Sequence, residues 1–484
     1  MTSTRRQFIR NAMAMAAAAP AYSALSACAT RATQMTRSGP RMIADPEGLL
    51  DLPPGFKYQR LSEIGQIMSD GFRVPGAHDG MGAFAIDGDP DRCVLVRNHE
   101  LDLDETANGP FGAGKGLPNG LDRNAVFDVA PNGDPVAGGT TTLIYNTRTR
   151  ELEQSFLSMV GTERNCSGGV TPWGSWITCE ETETAPNRLA SQYHGYAFEV
   201  PATARSLVPA RPLKAMGRFK REGAAIDPRT GIVYQTEDSG TGLLYRFIPD
   251  AYGELHRGGR LQALAIVDMP SADTRNWSES GSRFSVGQTV LTRWVDLDDV
   301  EAFETRLQER GYALGAARFA RGEGIAWAMD PSGSAAYFAC TNGGAAKAGQ
   351  IWRYTPSPYE GTPQETNVPG QLTLHYESPS RTEMDMCDNL VASPWGHLIV
   401  CEDGSDDDYL RGVAPNGTVY DIACSPSSEL AGACFSPDGQ TLFVNVQKSG
   451  VTAAITGPWE SLIVASERAN FTRLKRMGHK HFSS

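Results

Sequence analysis

One thiol and a set of carboxylates recur at matched places along this chain. Cys166, Glu222 and Asp388 each stand six residues before a turn proline (Pro172, Pro228, Pro394). Glu323 and Asp79 stand eight residues before Pro331 and Asp87. A second set follows short apolar runs: Glu100, Glu180, Glu237 and Asp238, with Asn342 in the matching place of a fourth run. Taken singly, such acids are turn or surface residues. Their recurrence makes them a group, and grouped carboxylates repel one another, so burial raises their pKa values unless cations compensate. Oxygen-rich sites suit Ca²⁺ or Mg²⁺, and one thiolate brings in a softer transition metal.

Cys166 lies in Thr162-Glu163-Arg164-Asn165-Cys166-Ser167-Gly168-Gly169, a polar, glycine-rich setting that predicts an exposed, functional thiol. A nucleophilic cysteine needs a histidine base nearby. His99, and His78 beside Asp79, are the histidines in these phrases, so ligation is the favoured role. Arg321 and Glu323 form an Arg-x-Glu pair in which a forked cation can clamp an anionic substrate. These two are the candidate catalytic residues. Asn342 and, more weakly, Lys347 are candidates for further substrate contacts.

The elements that must position these groups are read from the repeat itself. Six times the chain shows a strand, a turn on Pro, Asp or Gly, a second apolar strand, then polar residues. The second strands include Cys93-Val94-Leu95-Val96, Ile232-Val233-Tyr234 and Leu442-Phe443-Val444, rich in β-branched and aromatic residues. Self-similarity of this kind means a repeat architecture, and the fold expected is all-β, a six-bladed β-propeller. A helical insertion is expected over Asp298–Leu307, ending near Gly311, between blades three and four. The sixth copy has Ala431 where the others carry a donor, and supplies only Asn445 and Gln447 after its strand. The metal centre is therefore expected off-centre, toward blades one to four.

Residues 1–29 read as a twin-arginine signal peptide, with Arg5-Arg6-Gln7-Phe8-Ile9 before an alanine-rich run broken by Pro20. Leu25-Ser26-Ala27-Cys28 resembles a lipobox that would lipidate Cys28; Ala27-Cys28-Ala29 also reads as an ordinary cleavage site. Residues 30–46 read as a tether and 47–475 as a single catalytic domain. Export to the periplasm by the twin-arginine machinery follows, with an outer-membrane lipid anchor if Cys28 is lipidated. The formal charge of the whole chain is −12. No basic tract stands out, which argues against nucleic acid as a partner. Cys179, Cys340 and Cys401 close three apolar strands and read as small buried hydrophobes.

Taken in order, these stretches resemble the PhoX-type alkaline phosphatases. The likeness rests on the Arg-Arg signal, Asp79-Gly80-Met81, Asn98-His99-Glu100, Asn165-Cys166-Ser167-Gly168-Gly169, Thr171-Pro172-Trp173-Gly174, Glu222-Gly223-Ala224, Thr236-Glu237-Asp238, Arg321-Gly322-Glu323-Gly324 and Gly349-Gln350-Ile351-Trp352-Arg353-Tyr354. The resemblance implies a β-propeller phosphatase acting on small phosphomonoesters, with two Fe³⁺ and two or three Ca²⁺. It implies that Cys166 binds iron, that Glu100, Glu180, Glu222, Glu237, Asp238 and Glu323 share the ions, and that Arg321 meets the phosphate. A monomer is expected. The competing readings are a calcium-dependent lactonase- or phosphotriesterase-like hydrolase and a non-catalytic metal-binding lipoprotein.

Overall fold

Each copy of the repeated phrase folds as an antiparallel hairpin, because its apolar strands alternate over a Pro/Asp/Gly turn. The computed structural model describes residues 41–466, apart from 114–115, 281–282, 331–332 and 427. The signal and Cys28 lie outside these residues. So does most of the expected tether, although Ile43 already pairs with Leu52.

The fold is all-β and propeller-like, with few helices. Three sheets have four strands: His78–Ile86 through Glu151–Thr162, Cys387–Ala392 through Val419–Ser425, and Leu430–Phe435 through Val451–Thr456 with Lys57–Glu63 added at its edge. A three-stranded sheet spans Asn165–Val170, Ser175–Glu180 and Ala197–Pro201. The remaining strands form one ten-stranded sheet. It runs from Arg221–Ile226 at one end to Gly322–Asp330 at the other, and these two end strands pack side by side, so it nearly closes on itself. Its middle is a pairing of Thr289–Asp296 with Gln371–Glu377. The first strands of the six hairpins touch in a closed ring: 78–86, 165–170, 221–226, 322–330, 387–392 and 430–435, then back to 78–86.

The apolar core lies between neighbouring sheets. Ile177 and Cys179 of one pack on Ala224, Val233 and Tyr245 of the next, and Ile399 and Cys401 pack on Leu442 and Val444. All eight described cysteines are free and buried. Cys179, Cys340 and Cys401 sit in these cores as expected of small hydrophobes. Lys57–Glu63 pairs with Val451–Thr456, so the beginning of the described chain ties down its end and covers a strand edge that would otherwise be open.

The helical insertion differs from expectation. Residues 298–306 are turns, and the helix is the short Leu307–Ala313. Asp299 and Ala302 take φ of 40° and 50°, which a right-handed helix cannot include. Arg310 instead donates to the backbone oxygens of Asp298 (2.9 Å) and Asp299 (2.7 Å). The segment still docks, with Leu307 and Ala302 buried against Leu243 and Leu261.

Candidate metal centre

In all six hairpins the strand pairing slips at the same place. The register shifts fall between His78 and Met81, Asn165 and Gly168, Gly322 and Ile325, Cys387 and Leu390, Ala431 and Cys434, and opposite Arg221 to Ala224. A β-bulge re-aims a side chain. The first residues inside the bulges are Asp79, Cys166, Glu222, Glu323, Asp388 and, in the sixth, Gly432. Freed backbone groups find side-chain partners, as buried polar groups must. Asn98 Nδ2 donates to the carbonyls of Cys166 (2.9 Å) and Ser167 (2.8 Å), Asn389 Oδ1 accepts from Gly432 N (2.9 Å), and Asn445 Nδ2 donates to the Asp79 carbonyl. Close approach of the ring strands requires glycine after three of the donors, Asp79, Glu222 and Glu323. A Cβ at Gly80 would lie 2.7 Å from the Cys166 carbonyl oxygen, and one at Gly324 2.6 Å from Asn389 Cα.

The bulges bring five of the predicted donors together. Asp79, Glu100 and Cys166 offer ligand atoms within 4.8 Å of one another; so do Cys166, Glu181 and Glu222; Glu222, Glu323 and Asp388; and Asp388, Asp403 and Glu429. Shared members make these four sets one continuous acidic surface. It reaches every ring strand's hairpin, so the candidate donors extend beyond blades one to four, toward which the centre was expected. Gly432 leaves a gap in the sixth bulge, and Glu429, just before that strand, fills it. Cys166 is also not exposed as expected; its residue is 7% accessible.

Burial is the largest cause of the shifts here. It drives Asp79, Glu222, Glu323, Asp388 and Glu429 well above the ordinary carboxyl range, and neighbouring carboxylates add to it. Glu181 is pushed up to about 8 by burial, against the pull of Arg164. The Cys166 thiol is driven well up by burial and by Asp79 and Glu222. Two arginines answer this charge. Arg164 Nη2 lies 2.5 Å from Glu100 and also meets Glu181. Arg321 donates from Nε (2.7 Å) and Nη2 (3.2 Å) to Asp238, and Nη2 lies 3.0 Å from Glu323. Asp238 stays below the ordinary range because Arg321 outweighs its burial. Gln447 Nε2 lies 2.8 Å from both Asp79 and Glu100. Glu222 Oε2 is buried with no hydrogen-bond partner.

Other predicted residues lie elsewhere. Glu180 Oε1 meets His194 Nδ1 (2.6 Å) and Glu163 N (2.9 Å), and Oε2 accepts from Gly195 N (2.8 Å) and Tyr196 N (3.1 Å). Glu237 Oε2 accepts from Leu243 N (3.0 Å) and Tyr245 OH (2.8 Å). Glu180 is saturated, Glu237 is held through Oε2, and neither joins the acid sets, because successive residues of a strand face opposite sides. Their neighbours Glu181 and Asp238 point to the centre instead. Asn342 and Lys347 gather around Trp277: the Asn342 carbonyl accepts from the indole (2.7 Å), and Lys347 Nζ stands 4.4 Å from the ring centroid and 3.5 Å from Glu279. His99 bonds Thr141 (2.9 Å) and the Gly76 carbonyl (2.8 Å). No histidine among the described residues bonds Cys166, which removes the base a cysteine nucleophile needs. Sequence reasoning missed Glu181, Asp403 and Glu429 as donors. The first two were visible as the last residue of their phrases, matching Glu100 and Asp238.

An all-β, propeller-like protein with an acid- and thiol-lined centre able to hold several cations is the class that fold and site define. The chain belongs to the PhoX alkaline phosphatase family, whose profile, described as "Alkaline phosphatase PhoX", matches residues 38–450. Among solved structures it is similar to Pseudomonas fluorescens PhoX in complex with vanadate, a transition state analogue, at 16% identity and a TM-score of 0.64, covering 87% of this chain and 98% of that one. A gluconolactonase from Xanthomonas campestris matches at 10% identity and a TM-score of 0.38, over 87% of this chain and 99% of that one. No curated protein matches the sequence.

Proposed function

We propose that this protein hydrolyses phosphomonoesters at the acidic centre, and that its ring is a six-bladed propeller. In that reading the ten-stranded sheet is two blades joined by Thr289–Asp296 at their outer edges. The observation that carries the function is Glu222: a buried carboxylate oxygen without a partner, between Cys166 and the Glu323–Asp388 pair. Such a group is tolerated when a cation compensates it. The donor set therefore suits metal ions. The softer one, iron by family resemblance, fits against Cys166 with Asp79, Glu100, Glu181 and Glu222. Calcium fits the all-oxygen sets of Glu222, Glu323, Asp388, Asp403 and Glu429. Bound ions supply positive charge to the phosphoryl oxygens and acidify water.

The protein's own residues orient the substrate. Arg321 is anchored on both sides through Nε and Nη2, and its Nη1 makes no hydrogen bond among the described residues. That fixes one free donor toward an incoming phosphoryl oxygen without a reorganisation cost. Glu323 holds Arg321 on one face, takes a hydrogen bond from Thr341 (2.9 Å), and faces Glu222 and Asp388 on the other. It thereby couples the phosphate clamp to the ion-binding acids. The thiol in the centre speaks against a calcium-only hydrolase, which has no use for a soft ligand. Export by the twin-arginine route, a lipid anchor at Cys28 and a monomeric state complete the reading.

The test is metal content together with turnover of an aryl phosphate, on protein matured in a host with twin-arginine export. Iron and calcium should co-purify. Cys166→Ala and Glu323→Ala should each abolish phosphate release; full activity in both would refute the assignment.

A further inference from the structure

A polar cleft of about 320 Å³ opens beside Arg321 and its partner Asp238. Its walls carry the donors Arg321, Lys220, Ser239, Arg306 and Gln308 and the acids Glu183, Glu237 and Asp238, and no aromatic side chain lines it among the described residues. Arg306 and Gln308 come from the turn and short helix between the third and fourth hairpins, so that insertion builds part of this wall. Arg306 Nε is 3.1 Å from Glu183 and is held to that side.

Two donors in the cleft are unspent. Gln308 is 7% accessible. Its Oε1 accepts from Thr241 (3.3 Å), while its Nε2 finds no acceptor among the described residues. Lys220 is half-buried at the rim and has no ion-pair partner within 4.0 Å among the described residues. Donors open to a cleft are satisfied by water or by the oxygens of a ligand that displaces it. An aromatic group placed here would leave these donors unpaired and find no ring or apolar wall to pack on.

We propose that this cleft is the leaving-group subsite and that it selects small hydroxylated alcohols, as in glycerol and sugar phosphates. The proposal rests on the phosphatase reading above, with the phosphoryl group on Arg321. Hydrolysis adds water across the ester: phosphorus gains water's oxygen, the P–O(alcohol) bond breaks, and the alcohol leaves with a proton. The ester oxygen and the hydroxyls beyond it then meet Gln308 Nε2 and Lys220. The insertion is a specificity element, acting on the alcohol and not on the phosphate.

The experiment compares kcat/KM for sn-glycerol 3-phosphate and phenyl phosphate, using metal-loaded full-length enzyme. Phenolate leaves more readily than an alkoxide, so the informative quantity is the ratio of the two substrates in each variant against wild type. Gln308→Leu should lower the glycerol-to-phenyl ratio about tenfold. Lys220→Met, at the rim and outside any core, should lower it severalfold and guards against misfolding of the first variant. Ratios within about twofold of wild type in both variants would overturn the subsite. Wild-type enzyme that cleaves phenyl phosphate but not glycerol phosphate would overturn it while leaving the phosphatase reading intact. Wild-type enzyme that cleaves neither would refute the phosphatase reading, and the subsite with it.

Discussion

Removing metal should make the stability of this protein fall as pH rises, and adding it back should release protons. Asp79, Glu222, Glu323, Asp388 and Glu429 all titrate well above the ordinary carboxyl range without ions, because they are buried beside one another. A carboxyl whose folded pKa is raised contributes stability below its unfolded value, and that contribution is lost as pH climbs through the folded value. Glu181 sets the scale. Its pKa moves from 4.5 to about 8. At about 1.4 kcal/mol per unit that is a ceiling of roughly 5 kcal/mol, and sharing protons with its neighbours cuts the net to about 2 kcal/mol. Several such groups titrate together, so metal-free protein should lose on the order of 4 kcal/mol between pH 5 and pH 8, or roughly 5–10 °C in Tm. Ions that bind the deprotonated donors remove this loss. Thermal melts with and without EDTA at pH 5.5, 6.5, 7.5 and 8.5 read the effect directly, and the gap should widen with pH. Calorimetry in two buffers of different ionisation heat counts the protons, and at pH 6.5 at least two should leave per protein on saturation. A Tm gap that is constant across this range, or metal binding with no proton release, would refute the reasoning.

Arg321→Lys should cut kcat/KM by on the order of a hundredfold, since a point charge cannot hold Asp238 and Glu323 while donating to phosphate; steady-state kinetics at several pH values check this. His194, buried between Glu180 and Asp128, is raised to about 10: burial works against its charge, and those two carboxylates outweigh it. His194→Ala should cost about 3 kcal/mol in urea unfolding at pH 7, and since a raised histidine loses its contribution as pH climbs through its folded value, the cost should shrink near pH 10. Gly324→Ala forces a Cβ to 2.6 Å from Asn389 Cα; a loss of about 1–3 kcal/mol, with weakened metal retention by elemental analysis, is expected. Trp277→Ala should leave metal content unchanged, because Asn342 and Lys347, which surround that ring, belong to none of the acid sets.

The limits of reading this site from sequence follow from period and register. Asp79, Cys166, Glu222, Glu323 and Asp388 were legible because each sits in a bulge at a nearly fixed distance from a hairpin turn, and turns announce themselves through Pro, Asp and Gly. Glu180 and Glu237 were misplaced for the complementary reason. Side chains alternate along a strand, so an error of one residue exchanges the axial face for the core face. In the Glu180-Glu181 and Glu237-Asp238 pairs both residues are acidic, and composition gives no hint of which one turns inward. The partners decide it: His194 and three backbone amides hold Glu180, Tyr245 and Leu243 N hold Glu237, and none of these is local enough to be anticipated. Glu429 was invisible because it stands outside the repeated position, compensating in space for a glycine at Gly432. The helix failed because periodic apolar residues at Val300, Phe303 and Leu307 are necessary for a helix but do not forbid left-handed turns at Asp299 and Ala302. Ring closure by Lys57–Glu63 joins residues nearly 400 positions apart, which no local pattern encodes. The same physics links these cases. A repeat announces where a donor stands along its own strand, whereas which side it faces, and what replaces a missing one, are settled by residues outside that strand.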